Sequence, residues 1–103
     1  MTAHFNRLSP AADEALTILA EECAEVIRAI AKIQRHGIES HYPADGPSNA
    51  VKLATELGQV LAAKELVCRN VEAYDRVQRV ENVAYEEKFK EYPRWLHHAK
   101  VTL

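Results

Sequence analysis

The fold is decided first by residues 9–37, which read SPAADEALTILAEECAEVIRAIAKIQRHG. Ser9 is a residue type that caps helices, and Pro10 suits the first helical position. Gly37 is a residue type common just beyond a helix end. The apolar residues between these signals recur with helical spacing, so the stretch predicts one long helix from about residue 10 to 36.

The rest of the chain continues this pattern and predicts an all-α fold. Three glycines and four prolines in 103 residues leave few breaks, and no run alternates apolar and polar residues. We therefore expect a loop followed by two further helices and a short terminal element. The loop is predicted over residues 37–47, the helices over about 48–69 and 71–91 with a bend or division near Val80, and the terminal turn or helix over 94–98.

Length and composition describe one compact domain over residues 1–103, with 48% apolar and 27% charged content. Three helices that carry apolar residues on two sides bury little surface alone, so we expect an antiparallel helix bundle completed by homo-oligomerisation. A stripe of large apolar residues predicts the core of each of the first two helices. These residues are Leu16, Leu19, Cys23, Val26, Ile27 and Ile30 on the first, and Leu53, Leu57, Val60, Leu61 and Val67 on the second.

Charge and hydropathy exclude several classes of partner. The net charge is -2 and the basic residues are dispersed among acids, which gives no attraction to nucleic acid polymers. No run approaches the roughly 20 apolar residues that span a bilayer, and no apolar segment follows a basic start. Cys23 and Cys68 have no Cys or His at metal-ligand spacing. We expect a cytoplasmic protein with two reduced core thiols and no membrane contact.

Carboxylates at helical spacing are the feature that bears on chemistry. Glu22 and Glu25 are three residues apart, as are Glu56 and Gln59, so each pair lies on one helical face. Oxygen atoms from two facing helices could hold a hard cation such as Mg²⁺, which keeps positions for phosphate oxygens. Spacing alone leaves open a second interpretation, an ordinary solvated face, because Glu is a strong helix former.

The pattern EExxE at residues 21–25, followed by an ExxD-like segment at 56–59, resembles the MazG-like nucleoside triphosphate pyrophosphohydrolases. The resemblance runs from Leu16 to Ala62, and the tail over 93–98 looks similar to phage-type members. It implies an enzyme that hydrolyses a nucleotide substrate between the α and β phosphates to monophosphate and pyrophosphate. It also implies Mg²⁺, or Mn²⁺, as the metal and a homodimer or homotetramer as the assembly.

The resemblance also implies roles for individual residues. The implied magnesium ligands are Glu22, Glu25 and Glu56. Glu21 lies beside them as a further ligand or as the group that orients water. The implied catalytic pair is therefore Glu21 and Glu22. Gln59 stands where the family has the last acid, and its amide oxygen can coordinate a metal without supplying charge. The site then works with weaker or fewer metals, or the chain is a catalytically silent nucleotide-binding or regulatory module. A helical adaptor whose acids keep it soluble is a third possibility.

Further candidates have two interpretations each. Lys88 and Lys90 resemble the family's basic residues near the phosphates, but the Glu-Lys sequence around them more often describes a charged helix face. Asn49 contacts a nucleotide or, as helix starts favour, caps the second helix. Trp95 and Tyr92 stack on a base or, more commonly, anchor a core or subunit interface. The terminal pair His97 and His98 is expected to be exposed.

Overall fold

The computed structural model describes residues 5–101, and this part of the chain contains no β-strand. The all-α prediction is therefore confirmed, and each of the three α-helices begins and ends within one residue of its predicted bounds. The terminal element, predicted over 94–98, is instead a 3₁₀ turn that ends at Arg94. The predicted division near Val80 is wrong, because the third helix continues through that residue without a break. The elements are α1 (Pro10–His36), α2 (Asn49–Asn70), α3 (Glu72–Glu91) and a 3₁₀ turn (Tyr92–Arg94).

Both ends of α1 are set by local hydrogen bonds. The Ser9 hydroxyl accepts a hydrogen bond from the Ala12 backbone N–H at 3.0 Å, and Pro10 occupies the first helical position. At the other end Gly37 has a φ of 99°, a conformation that glycine adopts without steric conflict. Its N–H donates to the Ile33 carbonyl at 2.7 Å. These contacts confirm the predicted start and stop signals.

The start of α2 is capped by Ser48 rather than by Asn49. The Ser48 hydroxyl accepts a hydrogen bond from the Val51 N–H at 3.3 Å. Asn49 is the first residue of the helix and is only 6% exposed. Its side-chain Nδ2 donates to the Gly37 carbonyl at 2.9 Å, and its backbone N–H donates to the Ser40 carbonyl at 2.9 Å. The capping role proposed for Asn49 is wrong, because its side chain instead joins the start of α2 to the end of α1.

The chain divides into two compact units, Met1–Val71 and Glu72–Leu103. In the first unit α1 packs against α2. The larger pocket is lined by Lys32 near the end of α1 and Lys52 near the start of α2, whereas the smaller pocket also reaches Glu25 and Glu56. Residues that come earlier in α1 thus lie beside residues that come later in α2. The first unit is therefore an antiparallel helical hairpin.

The core of the hairpin is built from small residues. Within the described residues, Ala12, Ala15, Ala63 and Val67 are the buried apolar side chains. Several members of the predicted core stripes are exposed instead: Cys23, Ile27 (68%), Ile30 (42%), Leu57 (47%) and Leu61 (63%). The buried apolar positions are thus three alanines and one valine, and the leucines and isoleucines of the two predicted stripes are half-buried or exposed.

The second unit carries a run of aromatic residues. Tyr85 and Phe89 on α3 have ring centroids 5.1 Å apart, and Phe89 and Tyr92 have centroids 5.7 Å apart. Tyr92 and Trp95 meet edge to face at 5.3 Å. Earlier on α3, the Tyr74 hydroxyl donates a hydrogen bond to the Glu81 carboxylate. Within residues 5–101, no helix is both long and apolar enough to cross a bilayer.

Candidate functional site

Glu22 and Glu56 each bury one carboxylate oxygen without a hydrogen-bond partner. For both residues the atom is Oε2, and among the described residues nothing donates a hydrogen bond to it. An ionised oxygen shielded from water and left unpaired is unfavourable by several kcal/mol when the whole group is buried. Both side chains are half-buried, so a fraction of that penalty applies to each. Such groups are typical of sites that bind a proton or a cation.

A small pocket brings together Glu25 and Glu56, which are 31 positions apart in the sequence. Its volume is about 100 Å³. One acid from each motif, Glu25 on α1 and Glu56 on α2, thus lines the same pocket. The full lining consists of Glu25, Arg28, Ala29, Lys32, Asn49, Lys52 and Glu56.

The other motif residues are in different environments. Glu25 forms an ion pair with Arg28 at 3.1 Å, and its side chain is 46% exposed. Glu21 and Gln59 are exposed on α1 and α2. Across the described chain, no three His, Cys, Asp or Glu side chains converge in a geometry that would hold a metal by themselves. Mg²⁺ does not require such a cage, because it is commonly bound by one or two carboxylates together with waters and substrate phosphates.

A larger pocket of about 310 Å³ adjoins the small one, and both are lined by Lys32, Asn49 and Lys52. Lys52 is held in place by its own hydrogen bond, in which Nζ donates to the Tyr42 carbonyl at 2.7 Å. No carboxylate lines the larger pocket in the part of the chain that the structure describes. The lining residues are Lys32, Arg35, His36, Ser40, His41, Tyr42, Asn49 and Lys52.

Sequence reasoning missed the basic residues of these pockets. Lys32 and Arg35 are three residues apart near the end of α1, where a basic side chain is commonly explained by the helix dipole. Lys52 lies 20 positions after Lys32 in the sequence, beyond a loop. A pattern of basic residues flanking that loop was the available signal, but only the antiparallel packing of the hairpin brings them together.

The second unit contains the remaining candidates. Lys88 and Lys90 are exposed in the last turn of α3, and Lys88 Nζ lies 3.6 Å from Glu91 Oε2. This ion pair is the contact expected of an ordinary charged helix face. Trp95 is 54% exposed and contacts Tyr92. The rings of His97 and His98, both exposed, have centroids 6.5 Å apart.

Comparison of the chain with protein-family models, with curated proteins and with solved structures finds no match.

Proposed function

We propose that the chain is a magnesium-dependent nucleoside triphosphate pyrophosphohydrolase. The observation that carries this proposal is the pair of shielded, unpartnered carboxylate oxygens on Glu22 and Glu56. They belong to the two acidic motifs, and Glu56 shares its pocket with Glu25. The small pocket also contains Lys32 and Lys52. Carboxylates next to lysines are the donor set that a metal complex of a polyphosphate needs, because the carboxylates bind the cation and the ammonium groups bind phosphate oxygens.

The residues of the small pocket fit Mg²⁺. Glu25 and Glu56 supply oxygen ligands from opposite helices, and Glu56 Oε2 has no competing hydrogen bond within the described residues. An ion held by these residues would supply charge neutralisation and a bound water of lowered pKa. The Glu25 carboxylate that would hold it also accepts a hydrogen bond from Arg28 at 3.1 Å, and this bond orients the carboxylate.

The protein's own groups perform the remaining steps. Glu22, one helical turn before Glu25, accepts a hydrogen bond from the attacking water through its free Oε2 and orients that water toward the α-phosphorus. Lys32 and Lys52 bind phosphate oxygens and stabilise the negative charge that develops on the departing pyrophosphate. Glu21 is exposed and lines neither pocket, so it has no direct role in these steps.

Product analysis tests the reaction directly. The protein is incubated with a panel of canonical and modified triphosphates and Mg²⁺ in ¹⁸O-labelled water. We expect monophosphate and pyrophosphate, with the label in the monophosphate because water attacks the α-phosphorus. Glu56→Gln should abolish the reaction, whereas Glu65→Gln, an acid on the same helix in a surface ion pair with Arg69, should not. Diphosphate and orthophosphate as products, or no product from any substrate, would refute the proposal.

A catalytically silent nucleotide-binding module is the second candidate, and it is favoured by Gln59. That residue gives the second motif an amide where a carboxylate would strengthen cation binding, and it is exposed on α2. A silent module binds a magnesium-nucleotide complex in calorimetry but releases no pyrophosphate. Gain of hydrolysis in Gln59→Asp would assign the wild-type chain to this second class.

We also propose that the functional particle is a homo-oligomer. At 100° per residue, one side of the antiparallel hairpin carries Ile27 and Ile30 of α1 together with Leu57 and Leu61 of α2. The charged pockets lie on the other side. A second copy of this chain covers that apolar face. Light scattering that gives the mass of a single chain at micromolar concentration would refute the proposal.

A further inference from the structure

Among the described residues, the larger pocket contains a cluster of positive charge with no carboxylate in its own lining. Three side chains with fixed positive charge, Lys32, Arg35 and Lys52, line it together with His36 and His41. The whole chain has a net charge of -2, so this concentration does not follow from overall composition. Charges of one sign in a common pocket repel each other, and the repulsion is relieved when an anion binds among them.

The positive groups at the α1 side of this pocket are available to a ligand. Within residues 5–101, Lys32, Arg35 and His36 make no side-chain hydrogen bond or ion pair. Other arginines of the chain do make them, including Arg28 with Glu25 and Arg69 with Glu65. These three groups on α1 are therefore not committed to stabilising the fold, in contrast to Lys52, which is bonded to Tyr42.

The two other walls of the pocket are fixed. Lys52 Nζ donates to the Tyr42 carbonyl at 2.7 Å, and His41 Nδ1 lies 2.7 Å from the Gly46 carbonyl. Asn49 is held by its hydrogen bond to Gly37. An anion entering the pocket thus meets, on α1, donors without a partner in the described part of the chain and positioned groups on the loop and α2, an arrangement that binds several oxygens at once.

We propose that this pocket binds the pyrophosphoryl part of the substrate, the two phosphoryl groups that leave together. The assignment rests on the proposed function for its direction: the scissile phosphate lies in the small pocket beside Glu25 and Glu56, and the leaving group extends past Lys32 and Lys52 toward Arg35. A volume of about 310 Å³ accommodates a diphosphate with its hydration. Substrates must therefore carry two phosphoryl groups beyond the bond that breaks.

Binding of inorganic pyrophosphate in metal-free buffer tests the assignment without requiring turnover. Titration calorimetry on the full chain should give saturable binding that is tighter than binding of orthophosphate. Arg35→Gln should weaken it roughly tenfold, since a charged hydrogen bond to the anion is lost. Lys32→Gln should have a similar effect, and the matched control Arg69→Gln should have none. Circular dichroism checks that each variant keeps its helix content.

The outcomes separate the pocket from the reaction. Pyrophosphate that does not saturate the protein, or that binds Arg35→Gln and wild type equally, refutes the pocket assignment. So does orthophosphate that binds as tightly as pyrophosphate. If wild type hydrolyses triphosphates and Arg35→Gln does so with unchanged KM, the proposed function stands and the pocket assignment fails. If pyrophosphate binds through Arg35 but no triphosphate is hydrolysed, the pocket assignment stands and the proposed function fails.

Discussion

Neutralising Glu56 should stabilise the metal-free protein and remove its response to Mg²⁺. In Glu56→Gln a neutral amide of the same size replaces a carboxylate whose Oε2 is shielded and unpaired. Complete burial of an ion is unfavourable by several kcal/mol. Glu56 is half-buried with one such oxygen, so we expect a gain of about 1 kcal/mol in the free energy of unfolding, or roughly 4–8 °C in Tm.

The same variant should lose a metal effect that wild type shows. A cation that binds only the folded state at ten times its Kd stabilises the protein by about 1.4 kcal/mol, or roughly 6–10 °C in Tm. Thermal unfolding followed by circular dichroism, with and without Mg²⁺, measures both changes. Glu65→Gln is the control, because its surface ion pair with Arg69 contributes under about 1 kcal/mol and should leave the magnesium response intact. Destabilisation of metal-free Glu56→Gln, or an equal magnesium shift in both proteins, would refute the reasoning.

Three other substitutions test separate parts of the structure. Gln59→Asp places a second carboxylate one turn from Glu56, so calorimetry should show Mg²⁺ binding about tenfold more tightly. An unchanged affinity for Mg²⁺ would exclude residue 59 from the metal site. Ser48→Ala removes the cap of α2 and should lower the unfolding free energy by about 1 kcal/mol in urea titrations, whereas no loss would mean the cap is dispensable. Ile27→Asp puts charge on the exposed apolar face and should reduce the mass of the assembly measured by light scattering without lowering helix content. An assembly of unchanged mass would place the subunit interface elsewhere.

Helix boundaries were predictable because their causes are local. Ser9, Pro10 and Gly37 act within one turn of their own positions, and the structure uses each as expected. The cap of α2 was assigned to the wrong neighbour because Ser48 and Asn49 are both good capping residues. Only the contact between Asn49 and Gly37, made across the loop, distinguishes them.

Periodicity did not predict which residues of α1 and α2 are buried in the hairpin. The stripe through Cys23 and Ile27 is apolar, but a stripe does not identify the element that covers it. In the single chain the buried apolar residues of α1 are Ala12 and Ala15, whereas Cys23 and Ile27 of the stripe are exposed. The acids of the candidate site were candidates from the sequence because each motif falls within one helical turn. The basic pocket was not, because it depends on how the loop returns the chain from Arg35 to Lys52.

The loop between α1 and α2 is closed at its base, and this has a consequence for how the protein can diversify. Asn49 N–H donates to Ser40, Ala50 N–H donates to Ile38, and His41 pairs with Ser48 in an isolated β-bridge. The residues beyond that closure, 42–47, form a tip whose backbone helps to wall the larger pocket. Insertions or replacements in the tip would reshape one wall while the paired helices stayed in register. New ligand preferences could therefore arise there with little penalty to the scaffold.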